Sequence, residues 1–519
     1  MFNFFKKHYL WLSVIIITLS RLPSFFEGFW YGDENIYLAL AHGMANGQWL
    51  YVDVWDNKPP MIYLTYYFVY FFFGTNMWAY RILNLILSLI ALYYFDLICS
   101  KIFNFSKRQN IFAVVVFTFF LSFGLETTIL NAENIFLPFV VAGAYYLFCN
   151  KNNSQLFLAG LLFSFASLTK IHALIEVIVL ILVWGVYNYK ELKNQSQLTS
   201  TDLKNIEIDN KQSSYTEKIS SSVIIKKYFL LSISLLLPWL LLTYIYFSIN
   251  QLSMLQFSLY GFSSNYLTTN KALILGLELP FASLYIRAIL TILSLVILTY
   301  LYYKNRLSFA FYLILAWLIV NIFGSLISER NYPHYLIPLF VPFSLVVSYF
   351  CLRDLQSKFK YGLVLLISLQ LFLVNFGNNK QIPNYIPYYY PNFIKMTLGQ
   401  ISLEDYRKAY YSTDNYNRQN NLVSRIQKLT TKNDKIYLVS NNPEIYALSN
   451  RKTGYRHVTD YQYDQKVETV YQKLIDNNTK LILVAQESPL KQEFLIYLTK
   501  NYRLVENYSV DGLDFYLKV

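Results

Sequence analysis

The sequence predicts a mostly α-helical fold: a multi-pass transmembrane bundle of about 11 spans with juxtamembrane helices on its outer side, then a small α/β soluble domain. Three observations lead there. Of 519 residues, 55% are hydrophobic and only 14% charged, where a soluble chain carries roughly 25% charged residues. Apolar runs recur between residues 9 and 376, many approaching the roughly 20 helical residues that cross a hydrocarbon core. From about residue 416 the composition becomes that of a soluble domain.

The spans read from the sequence are 9–24, 80–100, 110–124, 134–149, 155–169, 172–188, 228–248, 279–303, 307–327, 333–351 and 360–376. The first lacks a small-x-small cleavage site and is read as an uncleaved span. With Lys6 and Lys7 inside, the inner loops become "SKIFNFSKRQN", "NKNNSQ", the polar stretch 189–227, "YYKNR" and "RDLQSKFK", each carrying Lys or Arg. The outer loops "GLETTILNAEN" and "SERNYPH" are poorer in them, so the positive-inside rule places the N-terminus in the cytoplasm of a plasma-membrane protein. The net charge of +13 is spread over these loops and does not form a nucleic-acid patch. Residues 59–74, "PPMIYLTYYFVYFFFG", are left out of the count. If they spanned, every later basic loop would face outward, and they are short, so an interfacial helix is expected. The first outer loop is then 25–79, and Cys99, Cys149 and Cys351 lie at inner ends of spans, where disulfides are not expected.

That orientation gathers ionisable residues near the outer surface, and each needs a reason, because a charge at a helix centre costs roughly 2.5–3.5 kcal/mol. Arg21 and Glu126 are read as snorkelling to the interface. His172 and Glu176, four apart, share a helix face, and Glu176 and Arg287 lie inside their helices. Together these charges predict one polar cavity open to the outer leaflet, capped by a soluble tail from residue 377.

Outside a membrane there are no nucleotide sugars, and the chain has no G-x-x-x-x-G-K-[ST] or G-x-G-x-x-G loop, so no nucleotide cofactor is expected. An activated sugar available there is carried on a lipid phosphate. Its transfer needs a carboxylate for the acceptor proton, cations for the phosphate and an apolar groove for the lipid. Asp33, Glu34 and Glu133 are the candidate catalytic carboxylates, with Asp33 and Glu133 as candidate ligands for a divalent metal. Lys58, Arg81, Lys170, Arg330, His334 and Tyr335 are the candidates for the donor phosphate. Each has a plainer reading as a helix-end carboxylate or an anchoring cation. Their shared placement on one side of the membrane is what favours a site.

The order "GDE", "DNKPP", "NAENIFLPF", "AGLLFSFASLTK" and "RNYPHYLIPLFVP" resembles the GT-C membrane glycosyltransferases, in particular the protein O-mannosyltransferases and the lipid A aminoarabinose transferases. The likeness covers roughly residues 10–350. It implies a GT-C fold, a polyprenyl-phosphate sugar as donor, Asp33 as catalytic carboxylate or metal contact, Glu133 as second acid and Lys58 on the lipid phosphate. Asn57 stands where the aminoarabinose enzymes have Glu, which departs from the family at a metal-related position. The resemblance also lays the Lys-Pro-Pro helix along the membrane surface.

The inner loop 189–227 is polar and expected to be flexible. The outer segment 250–278 reads as a gating loop or an ordinary connector, and "YIPYYYPN" reads as an interfacial aromatic belt. In the tail, taken as a domain over 377–519, "QNNLVSRIQKLTT", "PEIYALSNR", "QKVETVYQKLIDNN" and "PLKQEFLIYLTKN" read as helices. The runs "DKIYLVS", "TKLILVAQ", "YRLVENYSV" and "LDFYLKV" read as strands, and the whole as a lid on the membrane domain. The rival function is a lipid-linked sugar flippase. It predicts repeated halves, which are absent, and broken mid-membrane helices, for which only Pro238 speaks.

Overall fold

The computed structural model describes residues 2–124, 126–150, 152–196, 221–261, 272–274, 277–279, 284–327, 332–351, 382–408, 413–462, 466–506 and 512–519. The membrane part is built from α1 (Phe2–Arg21), α2 (Gly32–Ala45), α3 (Met61–Phe73), α4 (Met77–Lys101), α5 (Lys107–Phe123) and α6 (Ala132–Phe148). It continues with α7 (Asn153–Thr169), α8 (Ala173–Ser196), α9 (Ser221–Ser248), α10 (Leu284–Tyr303), α11 (Phe309–Leu326) and α12 (Phe340–Cys351). A 3₁₀ segment, Pro333–Leu339, leads into α12.

Ten of the expected spans coincide with these helices, and the eleventh, 360–376, lies outside the described residues. Among the described residues, seven helices are long and apolar enough to cross a membrane. α5, α6 and α7 have 17 residues each, about 26 Å of helix at 1.5 Å per residue. Of these α6 is the most enclosed: it is buried along most of its length from Ala132 to Leu147, with Gly143 meeting the Phe163 ring of α7 closely. α10, by contrast, buries only Leu298 and Tyr302 and exposes Tyr285, Ile289, Leu293, Val296 and Tyr300 among others, as a helix facing lipid does. α9 runs through Pro238 as a single helix.

Residues 59–74 do contain a short helix, well under the roughly 20 residues that cross a hydrocarbon core. α3 has 13 residues, and Pro59 and Pro60 stand directly before it. Ile62, Tyr63, Tyr66 and Val69 are buried, while Leu64, Phe68, Phe71 and Phe72 are exposed. That spacing gives one helix face to the protein and one to an apolar surrounding. α3 packs on α2, whose residues from Glu34 to Gly43 are all buried.

The tail adds α13 (Ile382–Thr397), α14 (Leu403–Lys408), α15 (Thr413–Leu429), α16 (Glu444–Ser449), α17 (Val467–Asp476) and α18 (Lys491–Leu498). Earlier in the chain, β1 (Ala272–Ile274) and β2 (Leu277–Leu279) pair antiparallel. A five-stranded sheet follows: β3 (Lys435–Val439), β4 (Lys452–Thr453), β5 (Thr479–Ala485), β6 (Tyr502–Leu504) and β7 (Leu513–Lys518). Its order is β4-β3-β5-β7-β6, parallel from β4 to β5 and antiparallel beyond.

Strand alternation divides the sheet's apolar residues between two cores. Tyr437, Val439, Ile482 and Val484 pack with Val470, Leu474, Phe494 and Leu498 of α17 and α18. Ile436, Leu438, Leu481, Leu483 and Phe515 join Ile36, Leu40 and Ile445 in a core that continues into α2. The sheet therefore shares an interior with the juxtamembrane helix. Burial pushes the His42 imidazole down to about 4, so it is neutral, despite the Arg451 carbonyl beside it. Its Nε2–H then donates to that carbonyl at 3.1 Å, and Nδ1 accepts from Tyr70 at 2.8 Å. One side chain ties α2, α3 and the tail.

The aromatic segment at 385–392 is more than a surface belt. Tyr389 is buried and donates to Glu27 at 2.7 Å, and Tyr390 donates to the Ser20 carbonyl at 3.1 Å. Arg21 likewise does not snorkel: it is fully buried and donates to the carbonyls of Asn84 and Leu121. Those carbonyls are accessible because α1, α4 and α5 pack together.

Candidate active site

One end of the bundle collects two carboxylate–ammonium pairs and one carboxylate–histidine pair, each from a different part of the chain. The first is Asp33 with Lys58. α2 begins at Gly32 with Asp33 and Glu34 in its first turn, where the helix dipole favours negative charge. Lys58 precedes the two prolines, which end the loop and start α3. Its Nζ stands 3.6 Å from Asp33 Oδ2 and 3.6 Å from Asp56 Oδ2, and 5.0 Å from the centre of the Tyr37 ring. Both Lys58 and Asp33 keep part of their side chains open, at 21% and 30% exposure. A new ligand can therefore reach both.

Asp56, which sequence reasoning passed over, is buried and held on both oxygens. Tyr63 donates to Oδ2 at 2.8 Å and Gln462 of the tail to Oδ1 at 2.8 Å. Burial alone would raise the Asp33 carboxyl, but the Lys58 ammonium, with His334 and Lys170, outweighs it and holds the group below the ordinary carboxylate range.

The second pair is Glu133 with Lys170. Asn131 caps α6 by accepting from the Ala132 amide at 2.7 Å, which sets Glu133 in the first turn. Lys170 ends α7 and lies 4.1 Å from the centre of the Tyr335 ring, a cation–π contact.

The third pair is Glu126 with His334, at 2.6 Å. Glu126 has φ of 59°, the left-handed region that non-glycine residues seldom occupy. The turn aims its carboxylate inward, not to the membrane surface as snorkelling requires. Nothing in the sequence marks that conformation. Tyr37, Asn131 and Tyr31 join the pairs: Tyr37 hydroxyl lies 3.2 Å from both Asp33 Oδ2 and Asn131 Oδ1, Asn131 donates to Tyr31, and Tyr31 donates to Glu126.

Two expected site residues are elsewhere. Glu34 and Arg81 are fully buried and face each other through a bidentate pair of 2.5 and 2.7 Å. The Leu130 amide donates to Glu34 at 2.9 Å, and Glu27 stands 3.9 Å from Arg81. Arg330 lies outside the described residues. Among the described residues no three His, Cys, Asp or Glu side chains come within reach of a common metal ion. Asp33 and Glu133 each face an ammonium instead, so this donor set does not fit a divalent ion.

Beside the second pair a narrow cleft runs between α8 and α11, lined by Glu133, Lys170, His172, Glu176, Asn321 and Tyr335 among others. His172 and Glu176 do share it. Arg287 does not line it and donates to the Leu326 carbonyl.

A membrane bundle with surface helix α3, short α5 to α7 and a tail sheet docked on α2 is a GT-C fold. Along 98% of this chain and 97% of the other, the structure is similar to ArnT from Cupriavidus metallidurans bound to undecaprenyl phosphate, with a TM-score of 0.56 and 12% identity. The apo state of the same ArnT gives a TM-score of 0.55 at 12% identity and the same coverage. Residues 57–200 match the family described as dolichyl-phosphate-mannose-protein mannosyltransferase, a stretch that holds Lys58, Glu133 and Lys170. No curated protein is similar in sequence at a significant level.

Proposed function

We propose that the chain is a membrane glycosyltransferase that moves a sugar from a polyprenyl phosphate to an acceptor at the outer face of the plasma membrane. The observation that carries the reading is Lys58: a partly open ammonium, 3.6 Å from a partly open carboxylate, at the N-terminus of a 13-residue helix, shorter than the roughly 20 residues that cross a hydrocarbon core. The partial positive charge of that helix end adds to the ammonium at headgroup depth, where a lipid phosphate presents its oxygens. The exposed apolar face of α3 beside it suits a prenyl chain.

In this reading Asp33, kept ionised by Lys58, takes the acceptor's hydroxyl proton. The acceptor oxygen bonds to the sugar C1 while the bond from C1 to the phosphate oxygen breaks, its electron pair staying on the phosphate. Lys58, and Lys170 behind it, stabilise that charge. Asp56, pinned by Tyr63 and Gln462, fixes the Lys58 ammonium, so the tail supports the site while staying docked. The family match over 57–200 and the fold shared with an undecaprenyl-phosphate-binding protein support the donor class.

The test is release of polyprenyl phosphate by purified protein given a panel of polyprenyl-phosphate sugars and a mixed membrane extract as acceptor source. Release that depends on Asp33 is expected. Release by Asp33→Asn at the wild-type rate, or none with any donor, would overturn the reading.

A further inference from the structure

Lys58 has a fixed backbone and a charge that is not fixed in the same way. Its amide donates to the Tyr63 hydroxyl at 3.1 Å, and its carbonyl accepts from Tyr51 at 2.6 Å. Its ammonium, on a flexible four-carbon stem, stands 3.6 Å from Asp33 and 3.6 Å from Asp56. Both distances exceed the roughly 2.7–2.9 Å of a charge-assisted hydrogen bond. The ammonium is therefore placed chiefly by the pull of two carboxylates, and it shifts when either of them shifts.

Asp33 is the open carboxylate. Asp56 is the fixed one, with 2% of its side chain exposed. Tyr63, which holds Asp56 Oδ2, belongs to α3 and travels with Lys58. Gln462, which holds Oδ1, belongs to the tail. The tail is fastened to the same loop one residue earlier. The Trp55 amide donates to the Arg456 carbonyl at 2.9 Å, and the Trp55 ring meets His457 edge-on with centroids 4.9 Å apart.

The polarity of Gln462 works against the fold. The residue is 2% exposed, and its Oε1 has no hydrogen-bond partner among the described residues. A buried acceptor left unpaired costs stability, which an apolar side chain of the same length would avoid. Such a side chain could not supply the N–H that Asp56 receives. The amide turns its nitrogen to Asp56 because a carboxylate accepts and does not donate.

We propose that Gln462 is a positioning residue for the donor phosphate, acting through Asp56 on the Lys58 ammonium, so that the tail completes the phosphate site as well as covering it. The inference rests on the donor reading above, in which Lys58 binds that phosphate. Without the Gln462 N–H, Asp56 is free to rotate, and the ammonium loses its fixed reference.

A double-mutant cycle separates this from a structural role, because residues that act through one another give non-additive effects and independent ones add. Binding of undecaprenyl phosphate would be measured on the purified full-length protein, Gln462→Met, Lys58→Ala and the double variant, with thermal unfolding alongside. Gln462→Met keeps the length of the side chain and removes its N–H. It is expected to weaken binding about tenfold where Lys58 is present, and less than about twofold where Lys58 is replaced by alanine. Gln462→Asn, one methylene shorter, is expected to follow it and carries the same cycle if the Met variant does not fold. Equal losses in both backgrounds, or unchanged binding in folded Gln462→Met, would overturn the positioning role and leave the donor reading standing. Loss of the fold in both Gln462 variants would make the residue a structural one and overturn the role as well. Equal binding of undecaprenyl phosphate by wild type and Lys58→Ala would overturn the donor reading, and this inference with it.

Discussion

Asp33 and Glu34 are neighbours in the first turn of one helix, and each meets a cation, yet the two pairs are different objects. Glu34 and Arg81 are wholly buried, bidentate and backed by the Leu130 amide. Asp33 and Lys58 are held 3.6 Å apart with part of each side chain open. A closed pair has spent its hydrogen bonds on itself and serves the fold, whereas an open one can exchange its partner for a ligand. The helical turn between adjacent residues, about 100°, is enough to send one inward and one to the site.

The largest expected effect falls on the closed pair. Glu34→Ala leaves Arg81 in the interior with only Glu27, 3.9 Å away, as a carboxylate neighbour. Removing one partner of a buried pair costs about 3–5 kcal/mol, and replacing both by apolar residues is often neutral. Thermal unfolding in detergent should show a large loss for Glu34→Ala and recovery of much of it in Glu34→Leu with Arg81→Leu. If Glu34→Ala unfolds like wild type but loses transfer, Glu34 belongs to the site after all and the contrast collapses.

Asp33→Asn should do the reverse. Unfolding should stay within about 0.5 kcal/mol of wild type, as for a partly exposed position. Turnover should fall by about 10²–10⁴, the worth of a positioned base. Lys58→Ala comes next: donor affinity should weaken by about 1–3 kcal/mol, a charge-assisted hydrogen bond. Lys58→Arg should restore only part, because a planar fork replaces a point charge between two fixed carboxylates. Full recovery with Arg, measured as donor affinity, would reduce Lys58 to a membrane anchor.

The sequence carried the fold further than the site. Charge alternation between loops and the length of apolar runs located ten helices and set apart α3, which has 13 residues. Continuous apolar runs in the tail located the central strands β3 and β5, because a strand between two cores must bury both faces. Side-chain partners were less legible. "GDE" does not say which carboxylate turns inward, since α2 is buried nearly all round and has no polar stripe to orient it. Gln462 reaches Asp56 across 406 residues with no local signal. Glu126 depends on a left-handed turn, and a buried Arg21 satisfied by carbonyls reads in sequence like one that snorkels.

The smallest effect is the most specific test of the open pair, because it reads the charge of Lys58 through its neighbour. Asp33 titrates below the ordinary carboxylate value of about 3.9. Burial works against this, and the Lys58 ammonium is the largest of the groups that bring it about. The pair's stabilisation is therefore present above the unfolded carboxylate pKa and is lost as pH falls through the lower folded value. If Asp33 is the base, the acid limb of transfer lies below that ordinary value, since the residue must be ionised to take a proton. Removing the ammonium leaves burial opposed only by the weaker terms of His334, Lys170 and Tyr37, so in Lys58→Ala the limb should move to higher pH. Glu34→Gln leaves Lys58 in place, and in the fraction that folds the limb should stay where it is. A pH–rate profile at saturating donor measures both. An acid limb that does not move in Lys58→Ala would mean that the base is another group.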